Sequence, residues 1–175
     1  MRSLVIYSSK TGFTEKYAKW LAEDLPADIV NVAKAATDML EGYDTVIYGG
    51  GLYAIGIGGV KYIKQNIGKL KNKKVIVLAT GLSPSSDEVV NVVRNHNFTI
   101  EEQKYLRLFY LRGGFDCSKL SLLYKVIMTF LKWKLMLKGK HKLTSDELGM
   151  LASYNMPVDF TRRENIKEII AYVNS

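Results

Sequence analysis

The 175-residue sequence predicts an α/β fold: a doubly wound, five-stranded parallel sheet in the order 2-1-3-4-5, with a helical insertion after strand 5. Short apolar, β-rich runs alternate with helical patterns from the start of the chain. Hydroxyl- and glycine-rich stretches follow several of those runs, and one apolar, lysine-rich stretch breaks the alternation after the fifth.

The strand-type runs occupy residues 3–7, 28–32, 45–48, 74–79 and 106–111, and their continuous apolar character suits strands buried on both faces. Helical patterns lie at 14–24, near 35–40, at 60–67 and at 87–96, the last followed by polar linker residues. Thr161-x-x-Glu164 reads as a capping box, and Ile166, Ile169, Ile170 and Val173 share one helical face behind it. This predicts a terminal helix packed on the sheet. A minimal doubly wound domain passes straight from strand five to that helix. Residues of about 117–156 therefore read as an insertion within a single domain spanning 1–175.

Apolar residues make up 47% and charged residues 24% of the chain, which fits a packed globular protein and not a disordered one. The single cysteine, Cys117, has no partner for an internal disulfide, and residues 1–9 hold only a strand-length apolar run, too short for a secretory leader. The expected location is cytoplasmic. His96 and His141 have no second ligand at metal spacing, so no metal is expected, and no side chain is nominated as a catalytic acid or base. The net charge is +8, and residues 118–142 hold seven lysines and no carboxylate. A basic excess confined to one apolar segment points to whatever that segment touches, and nucleic acid is not the expected partner.

The first strand run ends in Ser9-Lys10-Thr11-Gly12-Phe13-Thr14, directly before a helix. Hydroxyls at near-alternating positions, a glycine and the unpaired N–H groups of a helix start can together bind one phosphomonoester with few formal positive charges. Neither GxxxxGK[ST] nor GxGxxG is present, which argues against nucleoside triphosphate and dinucleotide chemistry. The third run leads into Gly49-Gly50-Gly51-Leu52-Tyr53-Ala54-Ile55-Gly56, where glycines let a backbone approach a planar ligand and Tyr53 offers a stacking face. The fourth ends in Thr80-Gly81-Leu82-Ser83, whose amides suit the polar edge of such a ligand.

The stretch Ser9 to Thr14 resembles the flavodoxin phosphate fingerprint Ser/Thr-x-Thr-Gly-x-Thr. The resemblance implies a flavodoxin-like fold holding FMN, with Ser9, Thr11 and Thr14 and the amides of Lys10 to Thr14 on its phosphate. It also implies one wall of the flavin ring at Leu52, Tyr53, Ala54, Ile55 and Gly56, and the pyrimidine edge at Thr80, Gly81, Leu82 and Ser83. No aromatic residue lies between Lys74 and His96 to cover the other face, and Leu82 and Phe115 are the candidate substitutes.

On a helix, residues 118–138 carry a narrow polar stripe of Ser121, Lys125, Thr129 and Lys132, while most of the remaining circumference is apolar. The longest uninterrupted apolar run is far short of the roughly 20 residues that span a bilayer. Three coverings stay open: peripheral contact of the stretch from Leu120 to Lys142 with an anionic membrane, burial on the parent domain, or a homodimer. An aromatic, basic helix after the fifth strand resembles the flavodoxin-like, quinone-dependent protoporphyrinogen oxidases. That resemblance implies an FMN-dependent oxidoreductase at the inner face of the membrane, with a porphyrinogen or quinone as substrate. A flavodoxin-type electron carrier and a flavin-free interaction module are the alternatives.

Overall fold

The computed structural model describes residues 2–53, 55–120, 122–138, 142, 151 and 156–175. In chain order the described elements are β1 (Ser3–Ser8), α1 (Phe13–Asp24), β2 (Asp28–Asn31), β3 (Thr45–Tyr53), β4 (Gly56–Ile57), α2 (Lys61–Gln65), α3 (Ile67–Leu70) and β5 (Lys74–Gly81). They continue with α4 (Asp87–Asn97), α5 (Ile100–Gln103), β6 (Arg107–Arg112), β7 (Gly114–Phe115), α6 (Leu122–Leu137), β8 (Val158–Asp159) and α7 (Lys167–Asn174).

The five parallel strands run in the order β2-β1-β3-β5-β6, which is the expected doubly wound arrangement. Successive side chains point to opposite faces, and both faces of the central strands β1, β3 and β5 are covered, so their runs are mainly apolar. Leu4, Ile6, Val46, Tyr48, Val75 and Val77 pack on one side with Ile63, Val93 and Phe98. Val5, Ile47, Ile76 and Leu78 pack on the other with Tyr17 and Leu21 of α1 and Ile169 and Val173 of α7.

Two local expectations are corrected. Glycines 49–51 do not leave the sheet: they continue β3 to Tyr53, pairing with β1 on one side and with Leu78, Ala79 and Thr80 of β5 on the other. Their low strand propensity hid this. The strand then reverses into β4, with Leu52 opposite Ile57 and Tyr53 opposite Gly56. A Cβ at Gly50 would lie 2.7 Å from the Gly58 carbonyl oxygen, so glycine is what lets the hairpin fold this closely onto its own strand. The capping box at Thr161 and Glu164 does not form. Asp159 accepts from both the N–H and the hydroxyl of Thr161, at 2.8 and 2.6 Å, and Glu164 pairs with Arg162. A capping box does form at Thr99 and Glu102, where a linker was expected, and starts α5.

The pattern near 35–40 becomes two 3-10 turns, Val32–Lys34 and Asp38–Gly42, and the one at 60–67 divides into α2 and α3 at Asn66. After β6 the chain enters β7, and β8 returns antiparallel to it, with Gly114 opposite Asp159 and Phe115 opposite Val158. The excursion from 116 to 157 thus leaves and rejoins the fold through a two-stranded ribbon. It carries α6 over the expected 118–138 stretch, preceded by a 3-10 turn at Cys117–Lys119. The sequence pattern also predicts a shorter helix near 145–153 after the basic residues Lys140 and His141; apart from Leu151 these lie outside the described residues, as do Ala54 and Ser121.

Asn97 holds the β3–β4 hairpin. Its Oδ1 accepts from the Ile57 N–H at 2.8 Å, and its Nδ2 donates to the Ile55 and Val93 carbonyls at 2.7 Å each. Asn97→Ala leaves a buried N–H without its acceptor, and the expected loss is roughly 1–3 kcal/mol of unfolding free energy in urea titration.

Candidate functional site

The register of the ladder brings three loops to one place. Ser8 pairs with Gly50, Gly51 with Thr80, and Gly81 with Arg112, so β1, β3, β5 and β6 end together at the carboxyl edge. The first loop, Ser9 to Gly12, feeds α1. Gly12 is the N-cap residue in the left-handed region at φ 91°, and no side chain caps the helix. The N–H groups of the first turn have no partner within the helix and carry the positive end of its dipole. A Cβ on Gly12 would meet nothing within 4 Å, so the space before the helix start is open. Ser9 Oγ accepts from the Gly12 N–H at 3.1 Å, which shapes the turn and leaves the hydroxyl proton to be donated. Ser9 and Thr11 are half-buried, and Lys10 is exposed.

Thr14 is placed differently from Ser9 and Thr11. It is buried, and its Oγ1 lies 2.6 Å from Thr80 Oγ1, tying the first loop to the end of β5. One hydroxyl proton is used in that pair; the other remains to be donated. Phe13 is buried beneath the β7 ribbon, where its ring fills the space that a Cβ on Gly114 would enter.

In the second loop Tyr53 is half-buried at the end of β3, while Leu52 packs against the core. Burial, with Tyr124 adding to it, pushes the Tyr53 phenol up to about 12, so it stays neutral across the physiological range. Gly56 is half-buried in β4, and the Ile55 side chain is exposed while its carbonyl is held by Asn97.

The third loop is held by its carbonyls. Gly81 O accepts from the Gly113 N–H at 2.7 Å, Leu82 O from Arg112 Nε at 3.0 Å, and Ser83 O from the Tyr110 hydroxyl at 2.8 Å. A trans peptide sets the following N–H opposite each carbonyl, so the amides of Leu82 and Ser83 face away from β6. This is a preset pair of donors on the third loop.

Helix α6 reaches the same region through Tyr124. Its ring centroid lies 6.2 Å from that of Tyr53, and its hydroxyl accepts from Lys10 Nζ. Sequence reasoning missed Tyr124, Asn97, Tyr110 and Arg112. Tyr124 was one of many apolar positions on the helix, and nothing in the spacing says which side turns inward. Phe115, a proposed second ring wall, sits in the β7–β8 ribbon.

A family model described as a flavodoxin domain matches residues 4–144. This chain belongs to the flavodoxin domain family. The match takes in all five parallel strands of the flavodoxin-like sheet and the whole of α6. An uncharacterized protein of Methanocaldococcus jannaschii is 43% identical over 54 residues, 30% of this chain and 36% of the relative, so the match spans about a third of that relative's length. A flavodoxin from the domain Archaea aligns with 65% of this chain and 85% of its own at 11% identity and a TM-score of 0.47. The two-electron reduced flavodoxin of Megasphaera elsdenii aligns with 63% and 84% at 16% identity and a TM-score of 0.47. The family assignment rests on the 4–144 match and not on these scores.

Gly12→Ala forces a Cβ into the left-handed region without gaining a contact, so it is expected to cost roughly 1–2 kcal/mol of stability by denaturant titration.

Proposed function

We propose that this flavodoxin-domain protein binds FMN across the three loops and works as an FMN-dependent oxidoreductase on a hydrophobic substrate. The observation that carries the reading is the uncapped start of α1, behind a left-handed glycine and facing open space, with the Tyr53 and Thr80 loops beside it. The donor set fits a phosphate monoester. Ser9 and Thr11 supply hydroxyls, the first turn supplies main-chain N–H groups, and the helix dipole favours the dianion. Tyr53 supplies a neutral aromatic face, and the Leu82 and Ser83 amides supply donors for the polar edge of the ring. Ala54, outside the described residues, belongs to the same proposal. FMN, when bound, supplies the electron-transfer chemistry itself. The residues here bind and orient it, and none is assigned a proton-transfer role.

A quinone or a porphyrinogen is the proposed substrate class, on the resemblance to flavodoxin-like protoporphyrinogen oxidases and on the placing of α6 beside Tyr53. The same reading takes 1–175 as one domain with 116–157 as its excursion. Helix α6 supports peripheral contact with an anionic membrane. Leu122, Phe130 and Leu137 are 82%, 75% and 88% exposed, Trp133 is exposed beside them, and Lys125 and Lys134 lie along the same helix. No described helix is long and apolar enough to cross a membrane, so the contact is interfacial. The proposed location is the cytoplasm, at the inner face of the membrane.

Titrating the purified full-length chain with FMN, followed by quenching of flavin fluorescence, tests the cofactor. Saturable one-to-one binding is expected, and Thr11→Val should weaken it by roughly tenfold. Absence of binding, or binding indifferent to Thr11→Val, contradicts the reading. For the membrane, co-sedimentation with anionic but not zwitterionic vesicles is expected, and Phe130→Glu combined with Trp133→Glu should abolish it. If the wild type stays in the supernatant and sediments as a dimer, α6 is a self-association surface instead.

A further inference from the structure

Lys10 belongs to the anion loop, yet its ammonium group lies between two aromatic rings from other parts of the chain. Nζ is 4.1 Å from the centroid of Tyr53 and 3.6 Å from that of Tyr124, and it donates to the Tyr124 hydroxyl. The two rings are 6.2 Å apart and inclined by 38°. Flat groups stack at roughly 3.5 Å, so a planar ring between these two needs about 7 Å, a little more than the present gap. The space is of stacking dimensions, and at present a cation occupies it.

We infer that Lys10 is a plug released by phosphate and that Tyr124, supplied by the excursion, is the second aromatic wall of the ring site. This rests on the FMN reading above. The ammonium is held by one hydrogen bond to an uncharged acceptor, the Tyr124 hydroxyl, and by contact with the two rings. The Tyr53 phenol is neutral, because burial has raised its pKa to about 12, so no Tyr53 phenolate pairs with the lysine. A cation over neutral rings near the surface is held less firmly than one hydrogen-bonded to a phosphate dianion. An anion arriving at the start of α1 therefore draws Lys10 back to its own loop. The slot between Tyr53 and Tyr124 then opens by a small rotation, and a planar ring can enter.

Phosphate and ring are thus read in sequence. A phosphorylated isoalloxazine removes the plug with its own phosphate; the unphosphorylated ring must displace the lysine unaided. The discrimination between FMN and riboflavin exceeds what the phosphate contacts alone supply, and part of it resides in one side chain. The device also links the anion loop to α6, since the lysine now bonded to Tyr124 leaves when the loop is filled.

The test uses the full chain in two ways. First, lysines carrying ¹³C-labelled methyl groups are followed by NMR, with the Lys10 signal assigned by its absence in Lys10→Met. The expected signal lies upfield of ordinary lysines because of the two ring currents, and it returns to the ordinary position as inorganic phosphate is added. A Lys10 signal at the ordinary position, or one indifferent to phosphate, overturns the inference. Second, dissociation constants for FMN and riboflavin are compared in the wild type, Lys10→Met and Tyr124→Ala. Lys10→Met should bind riboflavin more tightly and FMN less tightly, lowering the preference by roughly tenfold or more. Tyr124→Ala should weaken both. Equal effects of Lys10→Met on the two ligands, or no effect of Tyr124→Ala, overturn the inference while leaving FMN binding intact. A phosphate-responsive Lys10 signal in a chain that binds no FMN supports the plug and overturns the cofactor reading instead.

Discussion

Main-chain hydrogen bonds set β3 between β1 and β5, with Ser8 opposite Gly50 and Gly51 opposite Thr80, and each part of the site depends on that register. A slip of one residue exchanges the two faces of a strand. It would move Ile47 out of the layer under α1 and α7 and bring Tyr48 into it, exchanging members of the two core clusters. Burial on both faces makes such a slip costly, so the loops inherit their positions from the core. The Thr14–Thr80 hydroxyl pair, across 66 residues of sequence, is a direct result.

The proposed phosphate site has no fixed cationic clamp. Backbone N–H groups and the α1 dipole suit an anion at little desolvation cost, because these donors are in place without a cationic side chain held beside them beforehand. Lys10 is the one formal positive charge within Ser9 to Thr14, and it is turned aside between Tyr53 and Tyr124. The third loop follows the same economy. Gly113, Arg112 and Tyr110 hold the carbonyls of Gly81, Leu82 and Ser83, and the trans peptide geometry then aims the amides.

The sheet was legible because the central strands are short, mainly apolar runs that alternate with helical patterns, as strands covered on both faces require. The first loop was legible because hydroxyls and a glycine directly after a strand leave few alternatives. The second was read only in part: Gly49 to Gly51 looked like a loop because glycine carries no β signal, whereas pairing of all three with β5, and of Gly49 and Gly50 with β1 as well, keeps them in the strand. At the carboxyl end Thr161 and Glu164 matched a helix start, but Asp159 took both Thr161 donors first. Tyr124 and Asn97 were not legible at all. Their roles depend on which elements meet in space, and a helix with apolar residues around most of its circumference does not announce its inner side.

Helix α6 is the part of the chain least explained by its own fold. Of its residues only Leu135 is buried, while Leu122, Leu123, Val126, Ile127, Phe130, Trp133, Met136 and Leu137 are exposed. Its inward contact at Tyr124 sets this apolar surface next to the loops that the ligand is proposed to bridge. The most direct measurement of the central claim is amide chemical-shift mapping of the full-length chain with and without FMN. The account predicts that the largest shifts fall on Lys10 to Glu15, on Tyr53 and on Leu82 and Ser83; shifts centred anywhere else on the sheet, or none, would contradict it.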